Sequence, residues 1–472
     1  MRTVYNVVFP ILFLLSAPWY LLKMWRRGNW REGLGERFGR YTSSVKHAVT
    51  NRRVIWFHAV SVGEVNLCAR LIRAFEPRVP TAKIVVSTTT STGMEQLRKQ
   101  LPPHILKIYF PLDFPRVVSR ALAVIHPEMV ILVEAEIWPN FLWKLRDRHI
   151  PVFLVNARLS ERSYRGYKRL WFLFRPLFAS FRGVGAQNER DAQRLVELGC
   201  RAEAVRVVGS MKFDAARFEA GEQLDVQTLL HQIGVPASAD LLVGGSTHAG
   251  EEALLAEAYK ALKPKYPNLF LVLVPRHFER GKQVGRELAE RGLRFVYRRE
   301  ITSATRLPPG SVDCLLVNTT GELLSFYQCA TVVFVGKSLT ADGGQNPIEP
   351  GALGKAMIFG PNMQNFAAVA ENFVKHNAAV QIRSASELVP AIDALLQDPA
   401  RREELGRNAI RVVKSSSGAV ERTIDMVISY MERKENLSTL LRPEIFAPTP
   451  STTSPPEQNS FPPRPHDATP LV

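Results

Sequence analysis

MVILVEAEIWPN, residues 129–140, opens as an unbroken apolar run, Met129–Val133, and ends in two carboxylates, Glu134 and Glu136. A strand exposed on one face alternates apolar and polar residues, whereas a strand buried on both faces does not. The run does not alternate, so it reads as a strand of a parallel sheet with helices on both sides. Similar short runs rich in β-branched residues precede it at Val54–His58, Ile84–Ser87 and Ile108–Phe110, and follow it at Val152–Val155, Gly183–Ala186 and Val205–Val208. Helical stretches such as Glu64–Phe75, Gly93–Gln100 and Asn188–Leu198 lie between them. This alternation is the βαβ signature of an α/β domain.

The alternation pauses over residues 215–240, which read as a connection with one helix. A second series then runs through Leu241–Gly244, Leu269–Val274, Phe295–Tyr297, Cys314–Val317, Val332–Val335, Met357–Phe359 and Val380–Ile382. Two doubly wound domains in succession are expected, with ligands at the carboxyl ends of the strands and in the cleft between domains. The chain divides into a membrane anchor (1–30), a first Rossmann-like domain (31–214), a second (215–435) and a tail rich in Pro, Ser and Thr (436–472). Such a tail cannot bury a core and is expected to be disordered. A chain of 472 residues, 46% of them hydrophobic, has enough apolar mass for two cores.

Val4–Leu22 is almost wholly apolar and close to the roughly 20 residues that span a bilayer core. Pro10 and Pro18 interrupt it, which a membrane helix tolerates. Trp19, Tyr20 and Trp25 suit an interfacial belt, and Lys23, Arg26, Arg27 and Arg31 follow where only Arg2 precedes, so the bulk of the chain is expected on the cytoplasmic face of the inner membrane. No small-residue cleavage site follows, which argues against a signal peptide. The expectation is a spanning anchor, with a helix lying in the membrane surface as the alternative.

The net charge of +17 favours an anionic partner: nucleic acid, anionic phospholipid or a phosphorylated substrate. Nucleic acid is disfavoured, because basic and aromatic residues interleave only beside the anchor. Cys68, Cys200, Cys314 and Cys329 are far apart with no C-x-x-C pair, which points away from a zinc site and a disulfide framework.

Chemistry-bearing residues gather at the strand ends. WFHAVSVGEVN (56–66) runs a strand into a turn and a helix from about Glu64, either an anion-holding helix start or a plain connection. Glu134 and Glu136 fall on one side of an extended chain and need partners, or one of them caps a turn. Glu36, in REGLGERFG (31–39), is placed either to take a proton from a substrate hydroxyl or to pair with Arg37 or Arg40; its neighbours alone favour the salt bridge. GGSTHAGEE (244–252) makes a turn suited to phosphate. In VPRHFERG (274–281), Arg276 can grip phosphate or carboxylate with two hydrogen bonds, and His277 is either a base contact or a packed turn residue. Gly321 and Glu322 open a helix in NTTGELLSFY (318–327). VGKSLTADGGQNPIEPGALGK (335–355) joins a glycine-rich loop to a helix start at Pro347, with Glu349 suited to accepting from two ribose hydroxyls. No Walker or GxGxxG fingerprint is present, which removes support from ATPase and dehydrogenase readings. No D-x-D pair stands beside the expected phosphate site, so no metal is expected.

SVGE, EAEIWPN, GSMKFD, GSTHAGEE, PRHFER, GELLSFY and GGQNPIEP, in this order, resemble the bacterial 3-deoxy-D-manno-octulosonic acid (Kdo) transferases, from the anchor to about Lys434. The resemblance implies a GT-B fold and an inverting, metal-independent transfer of Kdo from CMP-Kdo to the lipid A precursor (lipid IVA) in lipopolysaccharide core biosynthesis, with no cofactor. It implies Glu36 as general base, reversing the salt-bridge preference, with Glu136 and Glu134 at the catalytic centre and Ser61, Gly63 and Glu64 on the acceptor side. It implies Arg276 and His277 on CMP, Met211 and Lys212 near the cleft, and Ser246, Thr247, Gly321, Glu322, Gly336 and Asn346 around the phosphate and the Kdo carboxylate. Glu349 would hold the ribose. The surplus positive charge would serve anionic inner-membrane lipids and the phosphorylated acceptor. Lys337 departs from the pattern, standing where the family usually has glycine; it either adds a phosphate contact or points away. Rival readings are a GT-B enzyme with another nucleotide sugar or lipid, and a membrane-tethered binding protein without catalysis.

Overall fold

A computed structural model describes residues 2–26, 32–134, 136–216 and 224–440. Residues 441–472, most of the Pro-rich tail, lie outside the described residues, as do the side chains of Tyr20, Lys23, Trp25, Arg26, Arg27 and Arg31. One compact unit, Met1–Val427, holds both sheets; a second, Ile428–Val472, continues the last helix, Ala419–Leu440, in its described part.

The first sheet is built from β1 (Arg53–His58), β2 (Ala82–Thr88), β3 (Leu106–Tyr109), β4 (Pro127–Val133), β5 (Val152–Ala157), β6 (Gly183–Ala186) and β7 (Val205–Val207). Its order is β3-β2-β1-β4-β5-β6-β7, with every pair parallel. The second contains β8 (Asp240–Thr247), β9 (Leu269–Pro275), β10 (Phe295–Tyr297), β11 (Cys314–Leu316), β12 (Val332–Val335), β13 (Met357–Phe359) and β14 (Val380–Gln381). Its order is β10-β11-β9-β8-β12-β13-β14, again all parallel.

Both faces of the second sheet are covered, as its non-alternating strands require. Phe270, Val272 and Val274 of β9 pack into one core cluster and Leu269, Leu271 and Leu273 into another. In the first sheet Trp56, Phe110 and Phe141 meet edge to face or tilted, with Phe110 and Phe141 centroids 4.9 Å apart. The chain reverses its direction of growth between β1 and β4, and again between β8 and β12. Neighbouring strand ends diverge at such points and leave a crevice.

The N-terminal helix, Arg2–Arg26, contains Pro10 and Pro18. Among the described residues no helix is long and apolar enough to cross a membrane, which corrects the expectation of a spanning anchor. The physical reason is a polar stripe at helical spacing. Arg2 makes two hydrogen bonds to Asp147 (2.8 and 2.7 Å), Tyr5 donates to Asp113 (2.9 Å), and Asn140 donates to Asn6 (2.8 Å). Phe9 and Phe13 continue the same contact against Phe114, each at 5.3 Å between centroids. The helix therefore lies along the first domain, and its remaining face exposes Val4, Val7, Val8, Ile11, Leu12, Leu14, Leu15 and Trp19.

Asp113 fastens this arrangement. Besides Tyr5 it accepts from the backbone N–H groups of Asn140 (3.0 Å) and Phe141 (2.8 Å), in the first turn of the helix Pro139–Asp147. A carboxylate there meets the positive end of the helix dipole. Burial nonetheless pushes its pKa up to about 7, against those three hydrogen bonds. Replacing Asp113→Ala strands two buried N–H groups and is expected to cost about 2–4 kcal/mol of stability in urea unfolding. A loss below about 0.5 kcal/mol, the range of an ordinary surface change, would contradict the fastening role.

Candidate active site

The crevice between β1 and β4 collects acidic residues. After β1 the chain turns at Ser61, which caps the helix Val62–Phe75 in a reciprocal box. The Glu64 N–H donates to Ser61 Oγ (3.2 Å), Ser61 Oγ donates to Glu64 Oε1 (2.8 Å), and the Val60 N–H donates to Glu64 Oε2 (2.9 Å). Ser61 and Glu64 thus partner each other at this helix start, and the Glu64 carboxylate acts electrostatically on Glu134 and Glu136 past β4. A Cβ at Gly63 would meet Ser61 Oγ at an ordinary contact distance of 3.9 Å. Glu134, just past β4, takes the left-handed conformation (φ 61°), and Arg158 lies 3.5 Å from its carboxylate. Glu136 accepts from the Trp138 indole (3.0 Å).

Burial raises the pKa of Glu134, opposed by Arg158 and Lys212. Burial, followed by the charge of Glu64 and then Glu134, pushes Glu136 up to about 7. Lys212, in the link between the domains, is lowered to about 8 by burial and by Arg158, against Glu134 and Glu64. Its ammonium donates to the Asn365 carbonyl (2.7 Å) and lies over the Phe366 ring (4.7 Å), so it joins the acidic cluster to the second domain. The neighbouring Met211 is buried, with its N–H on Asn156 Oδ1 (3.1 Å).

Glu36 stands apart, on the short helix Leu34–Arg37. Its Oε2 accepts from the N–H of Tyr109, the last residue of β3 (2.7 Å). β3 is three strands from β4, or roughly 14 Å at ordinary strand spacing. Neither Arg37 nor Arg40 pairs with it: Arg37 stacks over the Tyr109 ring at 4.3 Å. Among the described residues Glu36 makes no ion pair; Arg98 instead meets Glu32 (2.7 Å). Burial raises its pKa, against the Tyr109 N–H and the charges of Arg98 and Arg37. Gly33 holds the approach to this helix because any Cβ there would overlap the Tyr109 ring.

In the second domain the crevice between β8 and β12 is pinned by Glu251, a carboxylate with no exposure. It accepts four backbone N–H groups, from His248 (2.9 Å), Lys337 (2.7 Å), Ser338 (2.8 Å) and Leu339 (3.0 Å). Next to it buried Glu252 accepts from Thr247 Oγ1 (2.9 Å) and pairs with Arg280 (2.8 Å). Thr247 is fully buried, so its hydroxyl serves this network rather than an open phosphate site. Ser246 lies beside it with φ 53°, its carbonyl against Gly336, where a Cβ would stand 2.4 Å away.

Arg276 and His277 are exposed just past β9. The His277 ring meets His248 edge to face at 5.7 Å. Glu349 is largely buried and accepts from Asn346 Nδ2 (3.0 Å). Burial raises its pKa, opposed by Asn346, Arg276 and Arg70. Glu322 is engaged elsewhere, by Arg298 (3.0 Å) and Thr319 (2.5 Å), and Gly321 beside it is exposed with φ 90°. Ser246, Arg276 and Gly336 stand at the ends of the neighbouring strands β8, β9 and β12, with Asn346 and Glu349 beside them, while the Glu322 carboxylate is taken up by its own neighbours. Sequence reasoning missed Glu251, Glu252 and Arg280. The signal was present in the acidic pair that follows a buried strand at a helix start.

A sequence model of the family described as 3-deoxy-D-manno-octulosonic-acid transferase (kdotransferase) matches residues 32–215. A 3-deoxy-D-manno-octulosonic acid transferase of Haemophilus influenzae is 32% identical over 408 residues, covering 86% of this chain and 93% of the relative. The chain belongs to the Kdo transferase family. A transferase of the same description from Bordetella pertussis is 32% identical over 428 residues, 88% of this chain and 97% of its own. Among solved structures, a putative UDP-N-acetylglucosamine 2-epimerase of Listeria monocytogenes superposes with a TM-score of 0.55 at 13% identity, covering 81% of this chain and 97% of that one. That likeness concerns the fold alone, a GT-B-like pair of Rossmann-like sheets.

The acidic crevice makes the stability of the transferase depend on pH. The Glu136 pKa is raised from 4.5 to about 7 on folding. The folded state therefore holds more protons between these values, and stability falls as pH rises through that window. Glu136→Gln is expected to melt with the wild type below pH 4.5 and above it beyond pH 7, by scanning fluorimetry. A constant difference at every pH would contradict the shift.

Proposed function

We propose that the transferase moves Kdo from CMP-Kdo to a hydroxyl of the lipid A precursor, a phosphorylated and acylated glucosamine disaccharide, in lipopolysaccharide core biosynthesis. The observation that carries this reading is the division of labour between the two crevices. The first domain offers carboxylates; the second offers a glycine-rich turn, Arg276, and a carboxylate with the reach of a ribose diol.

In this reading the donor binds the second domain, with Glu349 accepting from the ribose hydroxyls and Arg276 and His277 against CMP. Backbone N–H groups and basic side chains meet the charge that grows on the departing phosphate, with no metal required. Glu36 takes the proton of the acceptor hydroxyl, which attacks the anomeric carbon in a single displacement and inverts it. Burial makes Glu36 a stronger base than a solvated carboxylate. Among the described residues its Oε1 accepts no hydrogen bond, which leaves that atom for the substrate. Glu134 and Glu136 orient the sugars, with Ser61, Gly63 and Glu64 on the acceptor side. The exposed apolar face of the N-terminal helix and the net charge of +17 support docking on the cytoplasmic face of the inner membrane.

A second reading gives the proton transfer to Glu136, favoured by its pKa of about 7 and its place in the acidic cluster. Variants separate the two. Glu36→Ala is expected to abolish transfer while calorimetric titration with CMP is unchanged, since the base and the nucleotide belong to different domains. Residual transfer by Glu36→Ala, together with none by Glu136→Gln, would move the base to Glu136. Loss of CMP binding in Glu36→Ala would contradict the domain assignment. Glu349→Ala is expected to weaken CMP binding by about 1–3 kcal/mol, through lost charged hydrogen bonds; unchanged affinity would remove its ribose role.

A further inference from the structure

Lys337 is the residue of the second crevice that the reading above leaves without a task. It stands two residues past β12, after Gly336, at the strand end beside β8 where the sheet reverses. Its backbone is left-handed, with φ 56°. That conformation is comfortable for glycine and strained for a long side chain, and such strain persists where the surroundings over-determine it. Here they do: the Lys337 N–H is held by buried Glu251 (2.7 Å), and its carbonyl accepts from the Gly344 N–H (2.9 Å). The turn would form with glycine just as well, so its geometry does not explain a lysine.

The side chain has a definite course. It reaches over the glycine-rich segment, so that a Cβ at Gly343 would stand 3.3 Å from Nζ and 3.4 Å from Cε. The same Cβ would lie 2.7 Å from Asn365 Nδ2, so two side-chain donors converge above Gly343. Among the described residues the Lys337 ammonium has neither a hydrogen bond nor an ion pair, although the residue is half-buried. Its charge is felt at His248, whose pKa burial lowers and Lys337 and His277 lower further. A strained backbone, a missing side chain at Gly343 and an unpaired ammonium thus coincide at one strand end, together with Arg276 and Asn346 of the proposed donor site.

We propose that Lys337 is a donor-contact residue whose ammonium binds an anionic group of the nucleotide sugar, either its phosphate or its sugar-acid carboxylate. This rests on the donor reading given above. An ammonium serves either anion as a point charge with three donors. The glycine-rich loop lets the anion approach the backbone, and Lys337 adds the charge that the loop lacks.

Calorimetric titration with CMP and with cytidine, on wild type, Lys337→Gly and Lys337→Arg, tests it, alongside the KM for CMP-Kdo. Lys337→Gly is expected to keep or raise the melting temperature, because glycine relieves the left-handed turn, so a binding defect will not reflect misfolding. With phosphate as the ligand, Lys337→Gly weakens CMP about tenfold, leaves cytidine unchanged, and Lys337→Arg restores most of the loss. With the carboxylate as the ligand, CMP affinity holds and the KM for CMP-Kdo rises about tenfold instead. Unchanged CMP affinity and unchanged KM would overturn the proposal, and so would equal weakening of CMP and cytidine, which would mark a disturbed loop. If the wild type fails to bind CMP, the donor reading itself fails and takes this inference with it.

Discussion

A parallel sheet covered by helices on both faces gives polar side chains almost nowhere to stand. β4 and β9 are buried along their whole apolar runs, and a charge placed inside them would have no water and no partner. The carboxyl edge is the exception, because there the chain leaves the sheet and helix N-termini gather. Where the strand order reverses, between β1 and β4 and between β8 and β12, the edge opens into a crevice. Glu134 and Glu136 border the first of these; Ser246, Gly336 and Lys337 border the second. Glu134, Ser246 and Lys337 all adopt the left-handed backbone without being glycine. That coincidence at strand ends is what the sheet constraint and a functional demand produce together.

The two crevices are stabilised in different ways. In the second crevice one buried carboxylate, Glu251, gathers four N–H groups from two separate segments, fixing the turn after β8 against the turn after β12. A rigid, pre-aimed turn suits a phosphate whose charge grows during the reaction. On the acidic side carboxylates repel one another, with Glu136 near neutrality and Lys212 holding part of the charge. Lys212 also reaches the Asn365 carbonyl, and the Asn365 N–H donates to Gly343. Two consecutive hydrogen bonds therefore link Lys212, whose charge acts on Glu134, to the glycine-rich loop.

Much of this was legible in the sequence, for identifiable reasons. The central strands, such as β1, β4, β5 and β9, lie where short non-alternating runs stand, because burial on both faces leaves almost no polar position to blur them, while short strands such as β7 and β14 carry a polar residue. The strand-end motifs marked the crevices. Pairing order, which brings β1 beside β4 and β8 beside β12, is not written in local pattern. It decided that the charge of Glu64 acts on Glu134 and Glu136, and that Glu36, held against the end of β3, stands apart from them. At the N-terminal helix the apolar composition suggested a span and hid the polar residues of the first turn, while the alternative of a surface-lying helix agrees with its exposed apolar face. Tyr5 and Asn6 follow Arg2 by three and four residues, the spacing that puts them on its side of the helix. Thr247, expected near the phosphate and the Kdo carboxylate, donates its hydroxyl to buried Glu252, a partner that the turn pattern does not reveal.

In this reading the two crevices act together in one transfer. Purified transferase incubated with the lipid A precursor and freshly generated CMP-Kdo, followed by mass spectrometry of the lipid, tests it most directly. The account predicts one or more added Kdo masses with CMP-Kdo, and none when UDP- or GDP-linked sugars replace it. An unchanged lipid mass from protein that binds CMP normally would contradict the account.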